Sequence, residues 1–573
     1  MDLTGYQDRV AKDIYRKCSL GTIKILIGSE VLSIIENVDF QYKWDILYKS
    51  CPWATVFQSV AFVSTWYKLY HQSYLPILVM SENKNELTGL ITLALPSTIP
   101  KHKKHFIIGA GHREADYQTW LAAIPFGNSF ITAALFKIKE VFPKNEVMLR
   151  HLTPNTPLEW SKNNFFWKKN CVLHSFKSPL VNLNKFSTSK RDRKRIQRLN
   201  KISYFSRITN AQDFISILPE LAANYDFRQG AMFNKNPFRN DPLNQKFITS
   251  LFEQNLLHLT VLKSNQKIIA SVAVLIGKNK AHLGGINFHS PLYADYSPGF
   301  VHFLMLAQQM AAEGIESFDL TPGGDAYKDR LSTNHEEVHI LVTTYSRLYY
   351  YKRQLKNHIY QKLIKAGIRP MTVELYLKRF LYTLRETGIT NVFHNKVTNL
   401  IKKDTIKAYI INSCVTDVAL LNVNKDNLND LLDFESKGTR LTRWGFLEDA
   451  MRRLEAGEHV YTLARNGRLL ACAWLRPPKA GPNFGRFTLP DGAVALHRIY
   501  CHPVFDSKLS DFLITVTQEV LKNNTNKYLF AFANDRNRVL SKALNLSGFR
   551  LINYTNLVPL FREGIPINPF PLN

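Results

Sequence analysis

The residues best suited to do chemistry stand in one short stretch, from Gly324 to Lys328. Asp325 carries a carboxylate that can accept a proton from an amine or a hydroxyl group, while Tyr327 and Lys328 can stabilise a leaving group or an oxyanion. The preceding Gly-Gly pair predicts a turn after a strand. We therefore predict Asp325, Tyr327 and Lys328 as catalytic residues. A solvated turn closed by an ion pair between Asp325 and Lys328 is the open alternative.

A second stretch has the composition of an anion-binding helix start: Tyr296, Ser297, Pro298, Gly299 and Phe300. Serine before a proline at the first helical position, with a glycine just past the helix end, marks helix boundaries. The unpaired amide groups and the positive dipole end at such a start bind phosphate oxygens, and a glycine lets the anion come close. We predict a cofactor phosphate site here. A purely structural cap remains the alternative on spacing alone.

The elements that must position these stretches follow from periodicity. A strand over 282–288, a helix over 300–313 and a strand over 315–320 place both stretches at the ends of neighbouring strands. A basic helix over 187–201 and an antiparallel hairpin over 257–277 precede them. This order predicts an antiparallel meander that leads into a helix.

The rest of the chain predicts further modules of the same kind. Apolar runs at 75–80 and 87–95 form a hairpin after a helix with an aromatic face, and the elements after residue 415 repeat the order of the middle region. We predict four segments: an N-terminal half over 1–185, a catalytic half over 186–345, a basic helical connector over 346–413, and a C-terminal module over 414–573.

The composition predicts a cytoplasmic protein. The 573-residue chain is 45% hydrophobic, so several packed cores are expected, yet no run approaches the roughly 18 apolar residues of a membrane-spanning helix. The first residues lack the apolar region of a secretory signal. The six cysteines form no C-x-x-C pair, and His497, Cys501 and His502 lack the partners that a zinc site needs. We predict no metal.

The net charge of +28 predicts attraction to polyanions. Basic residues concentrate over 190–201 and again over 347–369. Nucleic acid such as tRNA, acidic lipid and phosphate-bearing substrates are all open as partners, because charge alone does not choose among them. Nothing in the residues predicts an oligomeric state.

Four stretches together resemble the GNAT-superfamily acetyltransferases associated with cellulose biosynthesis in bacteria (the CelD/BcsL-like family), which are related to the Fem-type peptidyltransferases. The resemblance covers about residues 45–345. It rests on the opening at 55–59 with Trp66, the basic run 189–199, the junction 295–299, and the segment 318–328. In the last segment Thr321-Pro322-Gly323 stands where the family often has a Leu-Arg pair, so one expected anion contact is missing.

The resemblance implies an α/β (α+β) fold of tandem GNAT-like modules, with mixed, mostly antiparallel sheets flanked by helices and a third GNAT-like module at the C-terminus. It implies that acyl-CoA, such as acetyl-CoA, is the co-substrate, with its pyrophosphate at Ser297–Gly299. Its acyl group would meet an amine or hydroxyl of a small or carbohydrate-linked acceptor near Asp325. We expect Asp319 and Gly324 to help bind the substrate. Direct transfer needs no covalent enzyme intermediate.

The C-terminal module also looks GNAT-like but lacks the glycines of the usual phosphate loop, since Phe505 to Ser510 stands in that place. We expect it to be degenerate or accessory. Two other functions stay open for the whole chain. One is a Fem-type aminoacyltransferase that uses charged tRNA, and the other is a non-catalytic scaffold with the same fold.

Overall fold

The computed structural model describes residues 20–98, 106–388, 404–411, 420–436, 439, 441–477, 483–484, 487–490, 493–523 and 529–557. Within these ranges, none of the helices combines the length and the hydrophobicity that crossing a bilayer requires.

The first part of the chain alternates short helices with strands. In chain order the elements are β1 (Thr22–Ile27), α1 (Ser29–Ile34), α2 (Val38–Ser50), α3 (Val60–Tyr70), β2 (Tyr74–Asn83), β3 (Glu86–Pro96), β4 (Phe106–Gly109), β5 (Leu121–Ala122), α4 (Gly127–Val141), β6 (Glu146–Leu152), α5 (Glu159–Asn163), α6 (Phe165–Asn170) and β7 (Cys171–Asn182).

The middle part repeats this alternation and ends in two long helices. Its elements are α7 (Lys190–Asn200), β8 (Tyr204–Ile208), α8 (Ala211–Phe233), α9 (Pro237–Asn240), α10 (Pro242–Glu253), β9 (Leu257–Ser264), β10 (Lys267–Gly277), β11 (Lys280–Leu283), β12 (Phe288–His289), α11 (Pro298–Ala312), β13 (Ser317–Asp319), α12 (Ala326–Leu331), β14 (Asn334–Thr343), α13 (Arg347–Lys365) and α14 (Pro370–Thr387).

The last part forms a separate sheet with its own helices. Its elements are β15 (Asp404–Ile411), β16 (Asn424–Lys425), α15 (Leu428–Leu432), α16 (Arg443–Glu455), β17 (His459–Arg465), β18 (Arg468–Arg476), β19 (Asn483–Phe484), β20 (Phe487–Thr488), β21 (Val494–Cys501), α17 (Leu509–Asn523), β22 (Leu529–Asn534), α18 (Arg538–Leu546) and β23 (Arg550–Leu557).

One 14-stranded sheet joins the first two parts. Its order is β1-β2-β3-β4-β6-β14-β7-β13-β11-β10-β9-β8, with β5 paired to β3 and β12 paired to β10. The parallel pairs are β4 with β6 and β11 with β13, and the other pairs are antiparallel. Strand β7 precedes the middle part in sequence, yet it lies between β13 and β14. The two parts therefore share one continuous hydrogen-bonded sheet.

The C-terminal sheet has the same topology as the middle part. The middle order β8-β9-β10-β11-β13-β7-β14 corresponds to β16-β17-β18-β21-β22-β15-β23. In both, the central pair is parallel, and the strand that precedes the module in sequence is inserted before the last strand. The repeat predicted from the sequence after residue 415 is thus present in the strand order. The four predicted segment boundaries stay predictions.

Aromatic side chains pack at the contacts between the three parts of the chain. Phe62 on α3 meets Phe247 on α10 edge to face at 5.5 Å between ring centroids. The C-terminal module docks on α8, where the indole of Trp444 donates a hydrogen bond to the carbonyl of Ala231 at 3.0 Å. Helix α8 contributes Phe214 to the core of the first two parts and Ala231 to the core shared with the C-terminal module.

Most predicted elements form, with three local differences. Strand β15 (Asp404–Ile411) lies inside the predicted helical connector over 346–413, because it pairs with β22 and β23 of the C-terminal sheet. The predicted strand over 282–288 is broken, because β11 ends at Leu283 and the chain then passes through Gly284 and Gly285, the latter with a positive φ of 69°. The helix predicted from Phe300 begins at Pro298. Ser297 precedes it in a left-handed conformation, and among the described residues its hydroxyl makes no capping hydrogen bond.

One buried histidine on α11 provides a test of this packing. His302 is fully buried, and its Nε2 lies 2.8 Å from the hydroxyl of Thr260. Burial lowers the pKa of His302 from 6.5 to about 3. Between these values the unfolded chain binds a proton that the folded chain does not, so stability is lost as the pH falls from 6.5 toward 3.

We expect His302→Gln to remove this contribution, because the amide keeps a polar group near Thr260 but does not titrate. In urea denaturation, the dependence of the unfolding free energy on pH should become shallower by about 1.4 kcal/mol per pH unit in that range. The same substitution at His71, which is exposed, is the control. An equally large effect at His71 would contradict the prediction.

Candidate functional site

The two parallel strands of the middle module separate at their carboxyl ends. Residues 280–282 on β11 pair with residues 317–319 on β13. Beyond them, Gly284 and Gly285 lead β11 away, while Thr321 leaves β13 with a positive φ of 61°. Past these positions the backbone N–H and C=O groups of the two strands no longer hydrogen-bond to each other. We call this divergence of the two strands the opening.

A buried carboxylate organises the base of this opening. Asp319 is 2% exposed, and its Oδ1 accepts hydrogen bonds from the Ser178 hydroxyl at 3.1 Å and the Thr321 amide at 2.8 Å. The Ser178 hydroxyl also lies 2.9 Å from the phenol of Tyr117, and Nδ1 of His282 lies 3.5 Å from Oδ2 of Asp319. Burial alone would raise the pKa of Asp319, but these partners, His282 foremost, lower it to about 2. This carboxylate is therefore charged and fixed.

The predicted catalytic turn forms an ion-pair network above Asp319. Lys328 is 6% exposed and donates from Nζ to the carbonyl of Thr321 at 3.1 Å, while Asp325 lies 3.9 Å from the same Nζ. Arg369 donates to Asp325 at 2.8 Å. Burial lowers the pKa of Lys328, and Asp325 opposes this shift. The ion pair considered from the sequence thus exists, but Arg369 is the closer partner of Asp325.

Tyr327 packs its ring against helix α11. Its ring stacks on that of Phe303 with centroids 5.3 Å apart. Burial and the charge of Asp325 raise the pKa of Tyr327, while Arg228 and Arg369 oppose the rise. The phenol therefore keeps its proton at neutral pH. It can donate a hydrogen bond or a proton to a leaving group.

Asp116, in the loop after β4, brings a second carboxylate from the first part of the chain to the opening. A Cβ added at Gly284 would lie 3.9 Å from Oδ2 of Asp116, and Arg150 lies 3.8 Å from Oδ1. Burial raises the pKa of Asp116, and Asp319 adds to the rise, while Arg150 and Lys328 oppose it. A carboxylate with a raised pKa beside a glycine-lined opening is well suited to accept a proton.

The predicted phosphate site lies at the start of α11 among arginine side chains. The guanidinium of Arg330 lies 4.1 Å from the ring centroid of Phe300, and that of Arg195 lies 5.9 Å from the same ring. Arg198 lies 4.7 Å from the ring of Tyr296. Cation–π contacts hold these cations beside the helix start. Together with the first-turn amide groups, they form an electropositive surface suited to phosphate.

Gly299 at this start is constrained by packing. A Cβ at Gly299 would lie 2.9 Å from Nδ1 of His289, whose pKa burial lowers to about 3. Ser297 and Gly299 are partly exposed, while Pro298 is buried. The glycine is therefore required by the close approach of His289, and solvent still reaches the helix start.

The C-terminal module differs at the corresponding place. Where α17 begins, Leu509 is 1% exposed and Phe505 is 6% exposed. These two side chains pack in the core of the C-terminal module, while Asp506, Ser507 and Lys508 between them are exposed. The accessory role of this module stays a prediction.

The structure brings together most of the residues predicted from the sequence. Asp319, Asp325, Tyr327 and Lys328 share the network at the ends of β13 and α12, and Gly324 is exposed beside them, where a Cβ would lie 3.2 Å from Nε of Arg369. Phe303, on the same helix α11 as the predicted phosphate site, contacts Tyr327 of this network. Sequence reasoning missed five participants: Asp116, Tyr117, Ser178, Arg228 and His282. Among the described residues, no group of three or more His, Cys, Asp or Glu is arranged to hold a metal ion.

One protein-family model matches the middle of the chain. Residues 185–329 match the family model of the acetyltransferase (GNAT) domain. These residues include α7, the strands β8–β13, α11 and the predicted catalytic turn. A search among curated proteins finds no match.

Solved structures with related folds each cover about half of this chain. The C-terminal domain (DUF2156) of a putative lysylphosphatidylglycerol synthetase from Agrobacterium fabrum is 14% identical over 53% of this chain and 90% of that chain, with a TM-score of 0.37. FemX is 12% identical over 52% and 95%, with a TM-score of 0.39. A tandem GNAT protein from the clavulanic acid biosynthesis pathway is 9% identical over 56% and 98%, with a TM-score of 0.34.

The predicted fold class is confirmed. The chain is an α/β protein with large, mostly antiparallel sheets flanked by helices, and its residues 185–329 match a GNAT domain. The match over residues 185–329 marks the middle part as an acyltransferase domain.

The arginines at the start of α11 provide a test of the phosphate site. We expect Arg195→Ala to weaken acetyl-CoA binding about tenfold, because a charge-assisted contact to phosphate is lost. Isothermal titration measures this. Arg193→Ala, on the exposed surface of the same helix α7, is the matched control, and an equal loss there would show that the effect is nonspecific.

Proposed function

We propose that this protein transfers an acyl group from acyl-CoA, such as acetyl-CoA, directly to an amine or hydroxyl of a small or carbohydrate-linked acceptor. The observation that carries the proposal is the α11 start. An accessible helix N-terminus ringed by Arg195, Arg198 and Arg330 adjoins the opening between β11 and β13, inside the region that matches a GNAT domain.

The hydrogen-bond donors at the site are suited to a thioester that carries phosphate groups. Besides the three arginines, Nε of Arg228 and Nε of Arg369 are buried with no hydrogen-bond partner among the described residues. Buried donors without partners are costly unless a ligand or water satisfies them. Acyl-CoA would supply an activated acyl group, and residues at the start of α11 (Tyr296–Phe300) would hold its phosphates.

The chain's own residues then divide the work of proton transfer. Asp116 takes the proton of the acceptor amine or hydroxyl as its bond to the acyl carbon forms. Tyr327 gives its proton to the sulfur as the carbon–sulfur bond breaks. The Asp325–Arg369 pair holds the turn. Lys328 and Arg369 stabilise the negative charge that develops on the acyl oxygen. Asp319 and Gly324 help to bind the acceptor substrate.

The finer features of this proposal come from the resemblance and from chemistry. The resemblance to cellulose-associated acetyltransferases favours a carbohydrate-linked acceptor, and either nitrogen or oxygen can attack. Since acyl-CoA is made inside the cell, the proposal implies a cytoplasmic location. Aminoacyl transfer from charged tRNA is the second candidate, favoured by the basic surfaces of α7 and α13. It predicts tRNA binding that weakens steeply with salt.

Substitution of Asp116 tests the proposal. We expect Asp116→Asn to lower kcat by about 100-fold or more with little change in the affinity for acetyl-CoA, because a proton acceptor is removed but the phosphate site is not. Release of the CoA thiol, measured with a panel of amino sugars and alcohols, reports kcat. Asp213→Asn, on the exposed surface of α8, is the control.

The pH dependence gives a second readout of the same substitution. Asp116 accepts a proton only as a carboxylate, and its pKa is raised. The wild-type rate should therefore fall as the pH is lowered toward this raised value, and Asp116→Asn should lose that limb. No acetyl-CoA binding by the folded protein would defeat the proposal as a whole.

A further inference from the structure

The helical hairpin α13–α14 holds the largest concentration of exposed, large apolar side chains among the described residues. None of the described side chains of α13 is buried. The exposed apolar residues of the hairpin are Leu348, Tyr351, Leu355, Ile359, Ile364, Ile368, Met371, Val373, Tyr376, Leu377, Phe380 and Leu381. Scattered single apolar residues are normal on a surface, but a contiguous set marks an interaction site.

These side chains form stripes along the two helices. On α13, Leu348, Tyr351, Leu355 and Ile359 follow each other at spacings of three and four, which puts them on one face. The exposed fraction of Leu348 is 82% and that of Leu355 is 60%. The hairpin therefore presents an apolar face to solvent although it belongs to a folded chain.

A similar stripe runs along α14. Val373, Leu377 and Phe380 share one face by the same spacing, flanked by Tyr376 and Leu381. The exposed fraction is 52% for Leu377 and 45% for Phe380. Both helices of the hairpin are thus amphipathic.

The charge of the hairpin is strongly positive. Its basic residues are Arg347, Lys352, Arg353, Lys356, Lys362, Lys365, Arg369, Lys378, Arg379 and Arg385. The acidic residues in the same stretch are Glu374 and Glu386, and Glu374 is paired with Lys356 at 2.7 Å. Lys352 and Lys362 are exposed and flank the stripe of α13.

The hairpin is fixed to the candidate site. Arg369 lies in the turn between its helices and donates to Asp325 at 2.8 Å. At its other end, α14 contacts the C-terminal module through an ion pair between Arg379 and Glu448 and a ring contact between Tyr382 and Trp444 at 5.9 Å. A partner bound to the hairpin would therefore lie next to the turn at Asp325.

We propose that the α13–α14 hairpin docks on an anionic lipid surface. Apolar stripes bordered by lysine, arginine and tyrosine are the composition of helices that lie in a membrane interface, where aliphatic groups enter the acyl region and cations meet acidic headgroups. A nucleic-acid surface would be matched by the cations but would gain nothing from exposed leucine, isoleucine and valine. This inference does not depend on the reaction that the site catalyses.

Vesicle binding by the full-length chain tests the proposal. We expect sedimentation with vesicles of phosphatidylcholine and phosphatidylglycerol, much less with phosphatidylcholine alone, and weakening by salt. Replacing both Leu355 and Phe380 by serine should weaken binding at least about tenfold, because two anchors no longer enter the lipid. Replacing both Lys352 and Lys362 by glutamate should have a similar effect.

Matched controls separate docking from folding. Val38 and Phe165 are exposed apolar residues outside the hairpin, at 78% and 76%, and replacing both by serine should leave vesicle binding unchanged. Each variant is checked for cooperative unfolding. If the Leu355 and Phe380 variant fails to fold, serine at Leu348 and Leu377 tests the same stripes.

Four outcomes would overturn the proposal. The first is no binding to the anionic vesicles. The second is binding that the stripe substitutions leave unchanged. The third is binding to tRNA, lost only on charge reversal, in place of binding to vesicles. The fourth is a dimer in analytical ultracentrifugation that the serine substitutions dissociate, without vesicle binding, since the stripes would then cover each other.

Discussion

The insertion of β7 between β13 and β14 is the constraint on which the site depends. A carboxylate as buried as that of Asp319 is costly unless it is hydrogen-bonded and paired. Ser178, on the inserted strand, supplies one of those hydrogen bonds and also contacts Tyr117 from the first part of the chain. The middle module therefore cannot form this centre alone, although the family match covers only that module. The first part acts as a structural half of the same site.

Three carboxylates around the opening have different environments, and these assign them different roles. Asp319 is fully surrounded by partners and has a low pKa. Asp325 is held in an ion pair by Arg369 at 2.8 Å. Asp116 lies beside Gly284, and its raised pKa suits it to accept a proton. Titratable groups whose environments drive their pKa values apart commonly mark acid–base function.

Local signals explain how much could be predicted from the sequence. The helix at α11 and the turn before α12 were predicted because proline, serine and glycine punctuate the chain there, and the hairpins because apolar runs are split by polar turns. Asp116, Ser178 and Arg228 were missed because their roles come from pairing between distant segments, and nothing near them in sequence marks it. The break after Leu283 was also missed, although the Gly284-Gly285 pair marks it in the sequence.

The C-terminal module repeats the strand order of the middle part and packs against one of its helices. Phe505 and Leu509 pack in the core of the C-terminal module, and the module keeps the strand order of the middle part. Its contact through Trp444 instead holds the end of α8, the helix that carries Arg228. Arg228 in turn donates to the carbonyl of Asn287, just past the point where β11 leaves the sheet. The repeat thus supports, from outside, one wall of the opening in the middle module.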